Sequence, residues 1–243
     1  MGTDRYTIKR IQLAYVSSYL IYSSDWAILV DSGTSGSEKE ILDTIRKEGL
    51  APTMVQLLIL THVHFDHAGS AKRLKELTGC NIVVHQEEAD RLKEGFTLLP
   101  NGTRWKAKIL VGLGRVFARR LGKFPGTEAD ILVKDSLDLK EFGVPGNVIH
   151  TPGHTAGSQV VLLENGELFA GDTVFGLAGK QHFPPFAEDL PALIRTWKEL
   201  CSLQVKTIYP AHGHSFRFEN FLSEYDKVLL KYDRKTNWNV KKD

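Results

Sequence analysis

His62-Val63-His64-Phe65-Asp66-His67 places three imidazoles and a carboxylate within six residues, directly after the apolar run Val55 to Leu60. That run, closed by Thr61, is too short and too uniformly apolar for a surface helix and reads as a buried strand. Ala68 to Leu77, with Leu74 and Leu77 at helical spacing, reads as the start of the next helix. The polar residues therefore occupy a strand-to-helix turn. In extended chain, residues two apart point the same way, so His62 and His64 can converge on one ion. Asp66 and His67 fall where the chain turns into the helix and can face a second ion beside the first. Imidazole and carboxylate together form a donor set that zinc, iron(II) and manganese accept. A solvated loop histidine or a histidine tag would lack the buried strand in front of it.

Working outward, the same arrangement recurs. Asn147 to Thr151 reads as a strand running into Pro152-Gly153-His154-Thr155-Ala156-Gly157-Ser158. Gly166 to Ala170 leads into Gly171-Asp172-Thr173, and Lys206 to Tyr209 into Pro210-Ala211-His212-Gly213-His214. Each is an apolar segment that ends in a turn carrying a ligand-type side chain. An α/β sheet that builds a site at its strand ends has this pattern.

The four segments, in this order over most of the chain, resemble those of the metallo-β-lactamase superfamily of metal-dependent hydrolases. The resemblance implies an α/β fold, a four-layer αββα sandwich with a two-metal site along its edge. It implies that His62, His64 and His154 hold one ion, that Asp66, His67 and His212 hold the other, and that Asp172 bridges them. His214 competes with His212 for the last role; the family places its ligand before a glycine, as in Ala211-His212-Gly213. Asp31, in Leu29-Val30-Asp31-Ser32-Gly33, matches the aspartate that orients a metal-bound imidazole, a need that ligating histidines have generally. The implied cofactors are two divalent ions, zinc first, with iron or manganese able to take its place. A water shared by two such ions loses its proton near neutral pH, because coordination lowers its pKa from ~16 to ~7. The bridging hydroxide then attacks an acyl or phosphoryl centre, with Asp66 and Asp172 beside the reacting atoms.

Within that superfamily the motif around His62 is similar to those of N-acyl homoserine lactonases and of hydroxyacylglutathione hydrolases (glyoxalase II). The expected activity is hydrolysis of a small ester, lactone or related acyl substrate. A thioesterase of the glyoxalase II type is set back by the short tail after His212. A mononuclear-iron persulfide dioxygenase and a non-catalytic metal-binding protein stand as rivals to the hydrolase. No nucleotide-binding fingerprint is present, and no nuclease-type insertion is visible, so a small-molecule substrate is expected rather than a nucleic acid. Cys80 and Cys201 read as packing residues rather than nucleophiles.

The 243 residues, 42% of them hydrophobic, are enough for one domain with a substantial core. With two cysteines and no N-terminal apolar stretch, a reducing, cytoplasmic setting is expected. No apolar run approaches the ~20 residues of a membrane span. Tyr6 to Val16, Ser18 to Tyr22 and Trp26 to Asp31 read as a strand meander, Ser37 to Gly49 as a helix, and Asn81 to His85 as a short strand. Leu190 to Leu203 and Phe218 to Tyr232 read as helices, with a fraying tail from Arg234 onward. His85 and His150, at strand ends, read as packing residues or supports of ligands.

The segment from about 96 to 127 breaks the alternation. Between Phe96 and Thr127 it has no acidic residue, and Trp105, Ile109, Leu113, Val116 and Phe117 recur at helical spacing among arginines and lysines. A basic amphipathic helix is expected, packed on the domain, serving as a lid or forming a dimer contact. Trp105 and Phe117, with Lys180 and His182 after the bridging aspartate, are the candidate substrate-pocket residues.

Overall fold

Strands that are buried along both faces divide their side chains between two cores, and this organises the molecule. The computed structural model describes residues 6–97, 102–103, 122–177 and 182–239. One sheet contains, in spatial as in chain order, β1 (Thr7–Leu13), β2 (Val16–Tyr22), β3 (Ala27–Val30), β4 (Val55–Ile59), β5 (Asn81–His85) and β6 (Ile131–Val133). Its first three strands are antiparallel, and β3 to β6 run parallel. The second sheet contains β7 (Ser136–Asp138), β8 (Gly146–His150), β9 (Gln159–Leu163), β10 (Glu167–Gly171), β11 (Thr207–Pro210) and β12 (Phe216–Arg217), again in chain order. There only β10 and β11 pair in parallel.

The period of two assigns each side chain to its layer. Leu20, Leu29 and Leu58 face outward from the first sheet onto Ile41, Ile45 and Leu74. Those residues belong to α1 (Glu38–Lys47) and α3 (Ala71–Thr78). Their neighbours Ile21, Ile28, Val30, Leu57 and Ile59 face inward and meet Val148, Val161 and Phe169 of the second sheet. The outer face of that sheet, Val160, Leu168 and Ile208, packs on Leu193, Trp197 and Phe221. These come from α5 (Leu190–Leu200) and α6 (Phe218–Asn239). The order helix, sheet, sheet, helix is the expected αββα sandwich. Each fully buried large side chain, Trp197 and Phe169 among them, contributes roughly 1.5–3 kcal/mol by leaving water. α1 is further supported by Glu38 and Glu40 in its first turn and Arg46 and Lys47 in its last, which complement its dipole.

Three boundaries differ from the sequence expectation. The strand expected from Tyr6 to Val16 ends at Leu13, and a two-residue hairpin of Ala14 and Tyr15 follows. Ala14 has a left-handed φ of 44°, a conformation that an uninterrupted apolar pattern does not announce. The helix expected from Ala68 begins instead as a single turn, α2 (Phe65–Ala68), and restarts at Ala71 after Gly69 and Ser70. The C-terminal helix continues to Asn239, past the point where fraying was expected. The segments 98–101 and 104–121, and with them Trp105, Ile109, Leu113, Val116 and Phe117, lie outside the described residues, as does Lys180.

The sheets are tied together along one edge. Ser17 N donates to Ala211 O at 2.8 Å and Gln159 N to Thr61 O at 2.8 Å, each across the two sheets. Gly171 has φ +50°, and a Cβ there would collide with Thr61 Oγ1, so the close approach of the two sheets requires glycine. The turns after β4, β8, β10 and β11 therefore converge.

Candidate metal centre

The turn after β4 carries His62 and His64, and the turn after β8 carries His154; all three are buried. Hydrogen bonds on the outer nitrogens fix which inner nitrogen is left. His154 Nδ1 donates to Phe186 O at 3.1 Å, leaving Nε2 as the inward donor atom. Thr61 Oγ1 gives its proton to Asp31, so it accepts from His62 Nδ1 at 3.2 Å, and His62 Nε2 is likewise free. His64 Nδ1 lies 2.8 Å from His62 Nε2 and 3.2 Å from His154 Nε2. With the His64 proton on Nε2, which has no hydrogen-bond partner among the described residues, three nitrogen lone pairs would meet here and repel one another unless a cation sat among them. The donor set and the protonation pattern fit a metal ion.

The second cluster is Asp66 and His67 of α2 with His212 after β11. Asp31 holds His67 from behind. Its carboxylate accepts from Thr61 N at 2.8 Å and from Thr61 Oγ1, and Oδ2 meets His67 Nδ1 at 2.8 Å. A left-handed backbone at φ 61° costs a non-glycine residue about 1–2 kcal/mol, and these bonds hold Asp31 there. His212 Nδ1 donates to Tyr15 O at 2.9 Å, so its Nε2 faces Asp66 Oδ2 at 3.5 Å.

Asp172, at the end of β10, faces both clusters. Its Oδ2 is 3.5 Å from His154 Nε2, and its Oδ1 is 3.3 Å from both His67 Nε2 and His212 Nε2. Among the described residues, His67 Nε2 and Asp172 Oδ1 are buried with no hydrogen-bond partner, two ligand-type atoms aimed at a common centre. The donor atoms of each of three sets lie within 4.8 Å of one another: His62/His64/His154, His62/His67/Asp172 and Asp66/His67/His212.

The electrostatics of the two clusters differ. Burial pushes His62 well below the usual imidazole range, with the charges of His67 and His64 adding to it. Burial and the neighbouring His154 take His64 down to about 3. His154 is lowered by burial against the pull of Asp172. In the second cluster burial is overcome. Asp31, Asp172 and Asp66 hold His67 well above its ordinary value, and Asp172 and Asp66 raise His212. Both carboxylates are lowered although burial opposes it: Asp66 by His67 and His212, Asp172 by His212 and His67.

All seven residues expected as ligands thus lie around one centre, with Asp31 behind His67. His214 is exposed and points to Arg10 Nη1 at 3.3 Å, whereas His212 faces both carboxylates. His182, a candidate substrate-pocket residue, is buried: its Nδ1 donates to Phe175 O at 2.9 Å and its ring stacks on Phe216. His85 and His150 stack on one another at 3.7 Å, and each bonds a backbone carbonyl. Sequence reasoning missed Tyr15 and Phe175, whose rings lie parallel to that of His212 at 6.2 and 5.0 Å, and it missed the buried Glu88. With Glu87 before it and Asp90 after it, Glu88 has the look of a solvated helix start, and no local pattern sets it apart.

Comparisons with known proteins agree with this geometry. Residues 12–212 match the sequence profile of the Metallo-beta-lactamase superfamily. A probable metallo-hydrolase of Methanocaldococcus jannaschii is 29% identical over 203 residues, 81% of this chain and 87% of its own. A hydroxyacylglutathione hydrolase of Methylobacillus flagellatus is 26% identical, covering 90% of this chain and 72% of its own. Among solved structures, a mutant metallo-beta-lactamase from Cronobacter sakazakii superposes with a TM-score of 0.69. It shares 18% identity and covers 97% of this chain and 96% of its own. At that identity the likeness is one of fold.

Proposed function

The chain belongs to the metallo-beta-lactamase superfamily, and on that premise we propose that it is a two-ion hydrolase of a small ester, lactone or related acyl substrate. The observation that carries the reading is Asp172, whose two oxygens face different imidazole clusters. His62, His64 and His154 would hold one ion and Asp66, His67 and His212 the other, with Asp172 between them. Bound there, divalent ions, zinc first, would supply Lewis acidity at the acyl oxygen and a water acidified to near neutral pH.

The chain's own residues prepare that chemistry. Asp31 keeps the proton of His67 on Nδ1, so that Nε2 stays a donor to metal. Asp66 and Asp172 are held ionised by the surrounding imidazoles and can orient the proton of a water at their oxygens. Tyr15, half exposed on its hairpin, and Phe175, buried against His212, offer aromatic faces beside the second cluster. Such faces suit an apolar acyl group better than a polyanion. A thioester is a specific second reading, favoured by the similarity to a protein named a hydroxyacylglutathione hydrolase.

The test is a panel of lactones, thioesters, phosphoesters and β-lactams, assayed with metal-stripped protein and with protein loaded with zinc, manganese or iron. Metal-dependent turnover of a lactone or ester with two ions bound is the expected result. Oxygen consumption on a persulfide with a single iron would overturn it.

A further inference from the structure

The two clusters are supported in different ways. His67 has a carboxylate on its own ring, at 2.8 Å. Among the described residues, no carboxylate touches the outer nitrogens of His62 or His154, which meet a threonine hydroxyl and a backbone carbonyl. These histidines also arise from different sheets, His62 and His64 after β4 and His154 after β8. Something must set the spacing of the two turns.

Glu88 stands between them. It is fully buried, just before α4 (Ala89–Glu94). Its Oε2 accepts from Val63 N, the amide between His62 and His64, at 3.0 Å. Its Oε1 accepts from Gly157 N, three residues after His154, at 3.3 Å, and from Arg91 Nη1 at 3.3 Å. The same guanidinium nitrogen reaches Glu188 Oε1 at 2.8 Å. Glu188 in turn accepts from Ala156 N at 3.1 Å through Oε2, and its own N–H donates to His154 O at 2.9 Å. A Cβ at Gly157 would collide with the Glu88 side chain, so glycine there lets the carboxylate approach the amide. Val63 N, Gly157 N and Arg91 Nη1 all donate to the Glu88 carboxylate; burial raises its proton affinity, and Arg91 and the Val63 amide pull it back.

We propose that Glu88, joined through Arg91 to Glu188, is a positioning device for the His62/His64/His154 half of the site. It holds the two turns at the spacing at which the three nitrogens converge. It acts through backbone amides rather than through the rings. The Asp66/His67/His212 half does not depend on it, because its support comes from Asp31. This rests on the two-ion reading above.

The test compares Glu88→Gln with Asp31→Asn in full-length protein, titrated with zinc against a chromophoric chelator and with cobalt(II) followed by visible absorption. Glutamine has nearly the same shape but turns an NH2 donor toward one of the amides. Outer partners of ligands are worth about 10–100-fold in metal affinity, and a loss of that size is expected in one of two resolved affinities. The cobalt bands weakened most should be those that Asp31→Asn, which reaches His62 only through Thr61, affects least. Glu188→Gln, on a less buried residue, should weaken the same ion by less, and it carries the test should Glu88→Gln not fold. Equal weakening of both ions, or a lowered melting temperature with both affinities and spectra unchanged, would overturn the proposal. A wild-type protein that takes up a single ion overturns the two-ion reading instead. The device then stands if Glu88→Gln weakens that ion more than Asp31→Asn does, and falls otherwise.

Discussion

The His62/His64/His154 half of the centre and the Asp66/His67/His212 half share Asp172 but differ in charge. The first is three buried imidazoles that burial strips of their protons. The second surrounds two imidazoles with carboxylates, and these raise their proton affinity. A neutral nitrogen set is ready for a cation at any moderate pH; a mixed set holds its protons until a cation displaces them. The same fold edge therefore carries two unlike donor clusters side by side, one organised by desolvation and the other by charge.

The sharpest way to break this comparison is to remove what the halves share. Asp172→Ala should lower turnover by about 100-fold or more, since charge stabilisation at such a centre is worth several kcal/mol. The melting temperature should move far less, because Asp172 lies outside the three hydrophobic cores. Steady-state kinetics and thermal melts on one preparation check both statements.

Asp31→Asn comes next. The change removes the charge behind His67 while keeping the shape, and should weaken the second half by about 10–100-fold and the first half, which it reaches only through Thr61 and His62, by less. Resolved chelator titrations read this directly.

A pH series separates the halves without mutation. His67 and His212 have raised proton affinity, so protons return to them as pH falls and compete with metal. Between about pH 7.5 and 6, affinity in the second half should fall by up to about tenfold per unit for each proton displaced. Burial lowers His62, His64 and His154 instead, so affinity in the first half should fall less steeply. Parallel slopes would remove the distinction.

The smallest expected effect is at the rim. Tyr15→Ala should raise KM by roughly 2–10-fold for an apolar acyl substrate, the scale of one aromatic contact, with kcat and metal content unchanged.

How much of this is legible in the sequence follows from how local each feature is. His62, His64, Asp66 and His67 stand in one turn after one apolar strand, and strand periodicity alone places them at a sheet edge. His154, Asp172 and His212 repeat that local signature, so the ligand set is legible even though the contacts joining it are distant in the chain, 90 positions apart from His64 to His154 and further from His67 to His212. Glu88 and Glu188 are not legible, because each acts on amides distant in the chain, Glu88 on those of Val63 and Gly157 and Glu188 on that of Ala156. Tyr15 is hidden in an apolar run whose hairpin depends on the left-handed Ala14. His182 looks like a rim residue because glycine, lysine and glutamine precede it, yet the ring of Phe216 buries it. The bounds of α1 are legible within two residues because Ser37 and Gly49 bracket it; α6 runs longer than expected, since a polar C-terminal sequence marks no stop.

The central claim is that one carboxylate joins two different metal sites. Metal-stripped protein titrated with zinc, with bound metal and hydrolysis followed together, tests it most directly. The account predicts saturation at two ions per chain, in two steps that separate further as pH is lowered toward about 6. Saturation at one ion, with full activity and no second step at any pH, would contradict it.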